Sequence, residues 1–165
     1  MPETNLILPI IAALPFFGAL FPALMVRAGR TAATLSAAAA TLSALILLLS
    51  LAPQVFGGET VYAQIAWMPQ IGLAMNLRLD GLALMFGAMI LGIGLMIQLY
   101  GRHYLSKSDP FGQFFTYLML FQGAMLGIVL SDNVLMMLVF WELTSLSSFL
   151  LIGYWRHLPE GRQGA

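Results

Sequence analysis

Apolar residues fall in five long runs, and the polar residues gather almost entirely between them. A membrane-crossing helix needs about 20 mostly apolar residues at about 1.5 Å of rise each. Five runs meet that length: about Leu6–Val26, Ala32–Leu51, Gly81–Tyr100, Phe111–Leu130 and Val134–Tyr154. The pattern predicts an all-α integral membrane fold, one membrane domain of five transmembrane helices. Between the second and third spans, Pro53–Asp80 is too broken by Pro and Gly to form a sixth. Within it, Leu73-Ala74-Met75-Asn76-Leu77-Arg78-Leu79 nearly alternates apolar with other residues, which predicts a short extended strand or hairpin packed on the outer face.

Composition agrees with the pattern. Sixty per cent of residues are hydrophobic and 8% are charged, against about a quarter charged in a soluble domain. Mean hydropathy is +0.89. A water-soluble reading would leave a surface made almost wholly of apolar side chains, which water does not tolerate. Seven basic residues balance seven acidic ones, so charge points to no nucleic-acid partner. The absence of cysteine excludes disulfides, thiolate metal sites and cysteine nucleophiles. Met1-Pro2-Glu3-Thr4-Asn5 carries an acid where a signal peptide carries bases, so the first run is expected to be a retained span.

The bases orient the spans. Arg27 and Arg30 follow the first span, Arg102 and Lys107 the third, and Arg156 and Arg162 the fifth, while Arg78 alone falls on the opposite side. Lys and Arg favour the cytoplasmic side. A bias of six against one predicts a cell-membrane protein with its N-terminus outside and its C-terminus in the cytoplasm. Tyr100, Tyr104, Tyr154 and Trp155 then belong to an inner aromatic belt.

Small residues repeat along the spans: Ala33 and Ala37, then Ser36, Ala40 and Ala44; Gly87 and Gly94; and Gly123 and Gly127. Such spacing predicts closely packed helices. In the first span, Pro15 is expected to kink the helix.

One charge does not fit between spans. Glu142 lies eight residues into Val134–Tyr154, which is about 12 Å of helix. A carboxyl group at that depth costs several kcal/mol, roughly 3 on insertion scales. Its side chain is too short to reach water by snorkelling, so it must face protein or an aqueous cavity. On a helix it shares a face with Ser145, and Thr144, Ser147 and Ser148 widen the polar sector. Two readings follow: a proton- or cation-handling carboxyl, or a protonated one that only hydrogen-bonds a neighbouring helix. A relay would require a base at membrane depth. Lys107 is the only lysine and lies in a loop, so the partner must come from elsewhere. Gln122, in the fourth span, is a hydrogen-bonding candidate of similar depth. Asp132 or Asn133, after Ser131, reads as the N-cap of the fifth helix, with cation attraction as the alternative for Asp132. His103 and His157 read as interfacial residues too far apart for a metal site. No phosphate loop, HExxH or GxSxG occurs, so neither enzymatic chemistry nor a cofactor is expected.

Phe140-Trp141-Glu142-Leu143-Thr144-Ser145-Leu146-Ser147-Ser148-Phe149-Leu150-Leu151-Ile152-Gly153-Tyr154-Trp155 resembles the fifth helix of the large A-type component of Mrp-type multisubunit cation/proton antiporters. Ser131-Asp132-Asn133, Gly123-Ala124-Met125-Leu126-Gly127 and Leu77-Arg78-Leu79-Asp80-Gly81-Leu82 resemble that family in the same order. These proteins are similar to the proton-pumping membrane subunits of respiratory complex I. The resemblance implies that Glu142 matches a glutamate paired with a lysine of a later, broken helix. It implies three leading helices followed by two inverted five-helix repeats, of which this chain holds the first five helices. The implied activity is exchange of protons against Na⁺ or K⁺ within a hetero-oligomeric membrane complex. A pumping subunit of a quinone oxidoreductase or membrane hydrogenase, and a structural module without transport, are the alternatives.

Overall fold

The computed structural model describes residues 5–68, 70, 73–106 and 109–155. Lys107, Arg156, His157 and Arg162 lie outside these residues. Among the described residues, five stretches are long and apolar enough to cross a membrane: Ile7–Ala28, Arg30–Phe56, Gly81–Tyr104, Phe111–Leu130 and Val134–Ile152.

The first stretch is two helices in line, α1 (Ile7–Gly18) and α2 (Leu20–Met25), closed by a 3₁₀ turn. Helix α1 runs through Pro15, and an interruption falls at Ala19. Its cause is Pro22, which has no N–H for the Gly18 carbonyl and whose ring crowds that group. The neighbouring Ala19 carbonyl accepts a hydrogen bond from the Thr116 hydroxyl at 2.9 Å. Gly29, at φ 113°, turns the chain into α3 (Arg30–Ser50), so Arg30 opens a helix and does not lie in a loop. A short α4 (Ala52–Phe56) follows, with Pro53 in its first turn, where no N–H is needed.

Strands β1 (Val61–Met68) and β2 (Leu73–Leu79) pair antiparallel, with Val61 opposite Leu79 and Ile65 opposite Met75. Period-two alternation puts Val61, Ala63, Leu77 and Leu79 on the buried face. Both outer edges are engaged. The Asn5 N–H donates to the Tyr62 carbonyl at 2.9 Å, and the Asp132 N–H donates to the Asn76 carbonyl at 2.8 Å. The hairpin is thereby tied to the start of the chain and to the turn before the last helix.

Helix α5 (Gly81–Tyr104) is capped by Asp80, whose carboxylate accepts from the Ala83 N–H at 2.9 Å. Arg102 and His103 occupy its last turn, where positive charge opposes the negative end of the helix dipole. Helix α6 is Phe111–Leu130 and α7 is Val134–Ile152. Asn133 caps α7, accepting from Leu135 and Met136 at 2.9 and 3.2 Å. Asp132 instead faces Arg78 at 3.7 Å, and Arg78 also pairs with Asp80 at 2.8 Å.

Helix α3 lies between the α1–α2 pair and α5, while α6 closes the bundle against α1, α2 and α5 and carries α7 on its far side. Half of the most apolar window of α6 is buried, against 17% of that of α7, so α6 is the inner helix and α7 the outer one. At the end opposite the hairpin, Arg30 donates to the Leu105 and Ser106 carbonyls at 2.7 and 3.2 Å and lies 4.3 Å from the Phe111 ring centroid. Tyr154 packs edge-on against Phe114 there. Burial pushes its phenol up to about 12, the Asp109 carboxylate acts in the same sense, and Arg30 opposes both.

Replacing Asn133 with Ala removes the acceptor for two N–H groups, and a lost cap costs about 1 kcal/mol. Thermal unfolding in detergent should show that loss, whereas Asp132→Ala should change stability by less, because its ion pair is exposed.

Candidate functional site

Glu142 lies on the outward side of α7. Leu135, Leu138, Glu142, Ser145, Phe149 and Ile152 are all exposed, and their alternating three- and four-residue spacing makes one continuous stripe along the helix. The opposite stripe buries Met136, Phe140 and Ser147 against the bundle. The carboxyl group is therefore held on a rigid helix, at the centre of a face that the described residues leave uncovered. Glu142 and Ser145 do share this face, as the helical spacing predicts.

The hydroxyls nearby turn back onto their own helix. Thr144 and Ser145 both donate to the Trp141 carbonyl, at 2.6 and 3.4 Å. Ser147 donates to the Leu143 carbonyl at 2.6 Å and points into the bundle. Ser148 is half-buried beside it. Such back-bonding satisfies a hydroxyl in an apolar medium without a partner helix. It also leaves the Trp141 carbonyl, one residue before Glu142, the acceptor of two side chains.

Gln122 is not gathered with Glu142. It is 3% exposed and turns to the inner side of α6. There its Oε1 accepts from Gln98 Nε2 at 3.0 Å and from the Thr41 hydroxyl at 3.3 Å. Gln98 Nε2 also donates to Thr41 Oγ1 at 2.8 Å and contacts Met119 Sδ at 3.0 Å. Thr41 on α3, Gln98 on α5 and Gln122 on α6 thus form a fully buried polar knot. Gln98 Oε1 is its one buried side-chain oxygen with no hydrogen-bond partner among the described residues. Sequence reasoning singled out Gln122 but missed Gln98 and Thr41. The signal available was a lone amide in an apolar span. Asp132 lies apart from both groups, at the hairpin end with Arg78.

The chain therefore offers two polar features within its membrane-length helices, one neutral and enclosed, the other a carboxyl turned outward. Residues 67–115 match a family model described as NADH-ubiquinone oxidoreductase (complex I), chain 5 N-terminus. The A/B subunit of a probable K(+)/H(+) antiporter of Rhizobium meliloti (strain 1021) is 41% identical over 159 residues, 96% of this chain and 16% of that protein. The A1 subunit of a Na(+)/H(+) antiporter of Staphylococcus aureus (strain JH9) is 51% identical over 120 residues, 73% of this chain and 15% of that protein. The Mrp complex from Dietzia sp. DQ12-45-1b superposes with a TM-score of 0.79 at 34% identity, covering 94% of this chain and 16% of that one. The chain thus spans about one-sixth of the length of these relatives.

The fold and these matches define an antiporter-like membrane chain. Within that class the chain is similar, along nearly its whole length, to A-type components of multisubunit cation/proton antiporters, of which it covers about one-sixth.

Replacing Gln98 with Leu leaves the Gln122 oxygen short of a donor. Interhelical hydrogen bonds in membranes average about 0.6 kcal/mol, with a maximum near 1.7, so destabilisation of roughly that size is expected in detergent unfolding. The pair Gln98→Leu and Gln122→Leu should cost less than the sum of the two, because no orphaned amide remains. Strict additivity would show that the knot is not a unit.

Proposed function

We propose that this chain forms the N-terminal part of the large subunit of a monovalent cation/proton antiporter, with Glu142 as its proton-relay carboxyl. The observation that carries this reading is the placement of Glu142 at the middle of the exposed stripe of α7. A carboxyl group facing lipid at that depth costs several kcal/mol. The face is therefore covered by protein or by a water-filled cavity in the working assembly. The relay passes the carboxyl between a charged and a protonated form as a basic group is brought to that face and withdrawn. Alternation between these two states takes up and releases a proton. Thr144 and Ser145 support the site by occupying the Trp141 carbonyl with their own hydroxyls. Ser148 widens the polar sector, and Gln122 and Asp132 act at a distance, through helix packing and through the ion pair to Arg78.

The relatives are named for sodium in one case and potassium in the other, so the exchanged cation is Na⁺ or K⁺. Other antiporter subunits complete the complex, in keeping with the Mrp assembly whose fold this chain shares. The hairpin end, with Arg78, faces outward, and the end with Arg27, Arg30 and Arg102 faces the cytoplasm, on the distribution of bases. The match to a complex I chain 5 family model favours a second reading, a proton-pumping subunit of a redox-driven complex. Co-purification with flavin or iron–sulfur subunits would decide for it.

The test is Glu142→Gln in the assembled complex, with proton uptake driven by a sodium or potassium gradient across sealed vesicles. Positioned proton-transfer groups contribute about 10²- to 10⁴-fold, so exchange should fall by at least tenfold while the complex still assembles. Undiminished exchange would sink the relay.

A further inference from the structure

A relay carboxyl has to be aimed, and α7 packs chiefly against one helix, α6. Of its side chains only Met136, Phe140 and Ser147 are buried. Phe140 alone among them has a shaped seat. Its ring lies in the notch that Gly127 leaves on α6. A Cβ at position 127 would lie 2.5 Å from Cγ and 2.6 Å from Cε1 of that ring. Because Cγ is fixed next to the backbone, no rotation at the tip of the side chain relieves such an overlap. A second ring completes the arrangement. Phe16 of α1 lies over Gly123, one turn before Gly127, with three ring atoms 3.0–3.2 Å from where a Cβ would stand. The two rings stack, with centroids 6.1 Å apart and planes 28° from parallel. Three helices are therefore keyed together through two glycines and two phenylalanines. Glu142 follows Phe140 by two residues, about 200° around the helix, so seating the ring inward turns the carboxyl outward.

We propose that Gly127 and Phe140, backed by Gly123 and Phe16, are positioning residues that set the rotation of α7 and so the aim of Glu142. The inference rests on the relay reading for its functional consequence, but its geometry stands apart from that reading. Displacing Phe140 turns or lifts α7, and the carboxyl loses its alignment with whatever group covers the exposed stripe. Misplacement by about 1 Å is enough to lower a rate by roughly 100-fold.

The test uses the complex as assembled in membranes. Leu120 of α6 and Ser147 of α7 line one small cavity of about 40 Å³, so Leu120→Cys with Ser147→Cys makes a reporter of helix rotation with a short bifunctional thiol reagent. The parent pair should cross-link. Adding Gly127→Ala should reduce the cross-link, and Gly127→Ala should lower exchange by about 10- to 100-fold. Adding Phe140→Leu to Gly127→Ala should restore part of both, since a flexible smaller side chain yields to the new methyl. If Gly127→Ala does not assemble, Phe140→Leu alone should assemble with reduced cross-linking. A yield that neither substitution changes overturns the proposal. Cross-linking that falls while Glu142→Gln still exchanges at the parent rate keeps the lock and removes the relay. Unchanged cross-linking with exchange lost in Glu142→Gln does the reverse.

Discussion

The close approach of other helices to α6 is the contact on which the rest of this structure depends. Within a bilayer, burying apolar surface gives helices little reason to associate, because lipid tails are as apolar as leucine. Association then rests on van der Waals fit and interhelical hydrogen bonds. Helix α6 supplies both. Gly112 admits α2, where a Cβ would lie 3.0 Å from Ala23 Cα, and Gly123 and Gly127 admit the rings of Phe16 and Phe140. On its inner side Gln122 hydrogen-bonds α3 and α5 through Thr41 and Gln98. These features bring neighbouring helices close against it, and α6 is the most buried of the five spans.

The same packing separates two kinds of polar group. The amides and the threonine hydroxyl are neutral and can satisfy one another, so they are tolerated inside the bundle. A carboxyl group enclosed with them would need a base, and the knot contains none. Glu142 is instead carried by the outermost helix, on the side away from α6. The polar groups of the knot hold the helices together, while the carboxyl stays available to a charge brought from elsewhere.

The hairpin adds a second constraint at one end. Its buried face closes the core against α1, α5, α6 and α7, and its edges are joined to Asn5 and Asp132. Arg78 sits between Asp80, the cap of α5, and Asp132, one residue before the cap of α7. The helix starts at this end are thereby referenced to one another. At the other end Arg30 performs a comparable service by joining the start of α3 to the segment after α5.

The five apolar helices and the shared face of Glu142 and Ser145 were legible in the sequence, because hydropathy and helical periodicity are local properties of the chain. The alternation in Leu73–Leu79 was legible for the same reason, whereas its pairing with Val61–Met68 was set by register across the hairpin. The break in the first span at Ala19, ahead of Pro22, was not legible, since only the backbone hydrogen bonds show where a helix is interrupted. Gly123 and Gly127 read as a site of close helix approach, but the sequence does not say that aromatic rings fill them. Gln98 and Thr41 stand 57 positions apart, and nothing local joins them. The sequence by itself determined which segments cross and which charge is out of place, since each is decided by a residue and its near neighbours. Only the tertiary structure decided that the charge faces outward from the bundle, because that direction is set by the packing of α7 against α6 and α1.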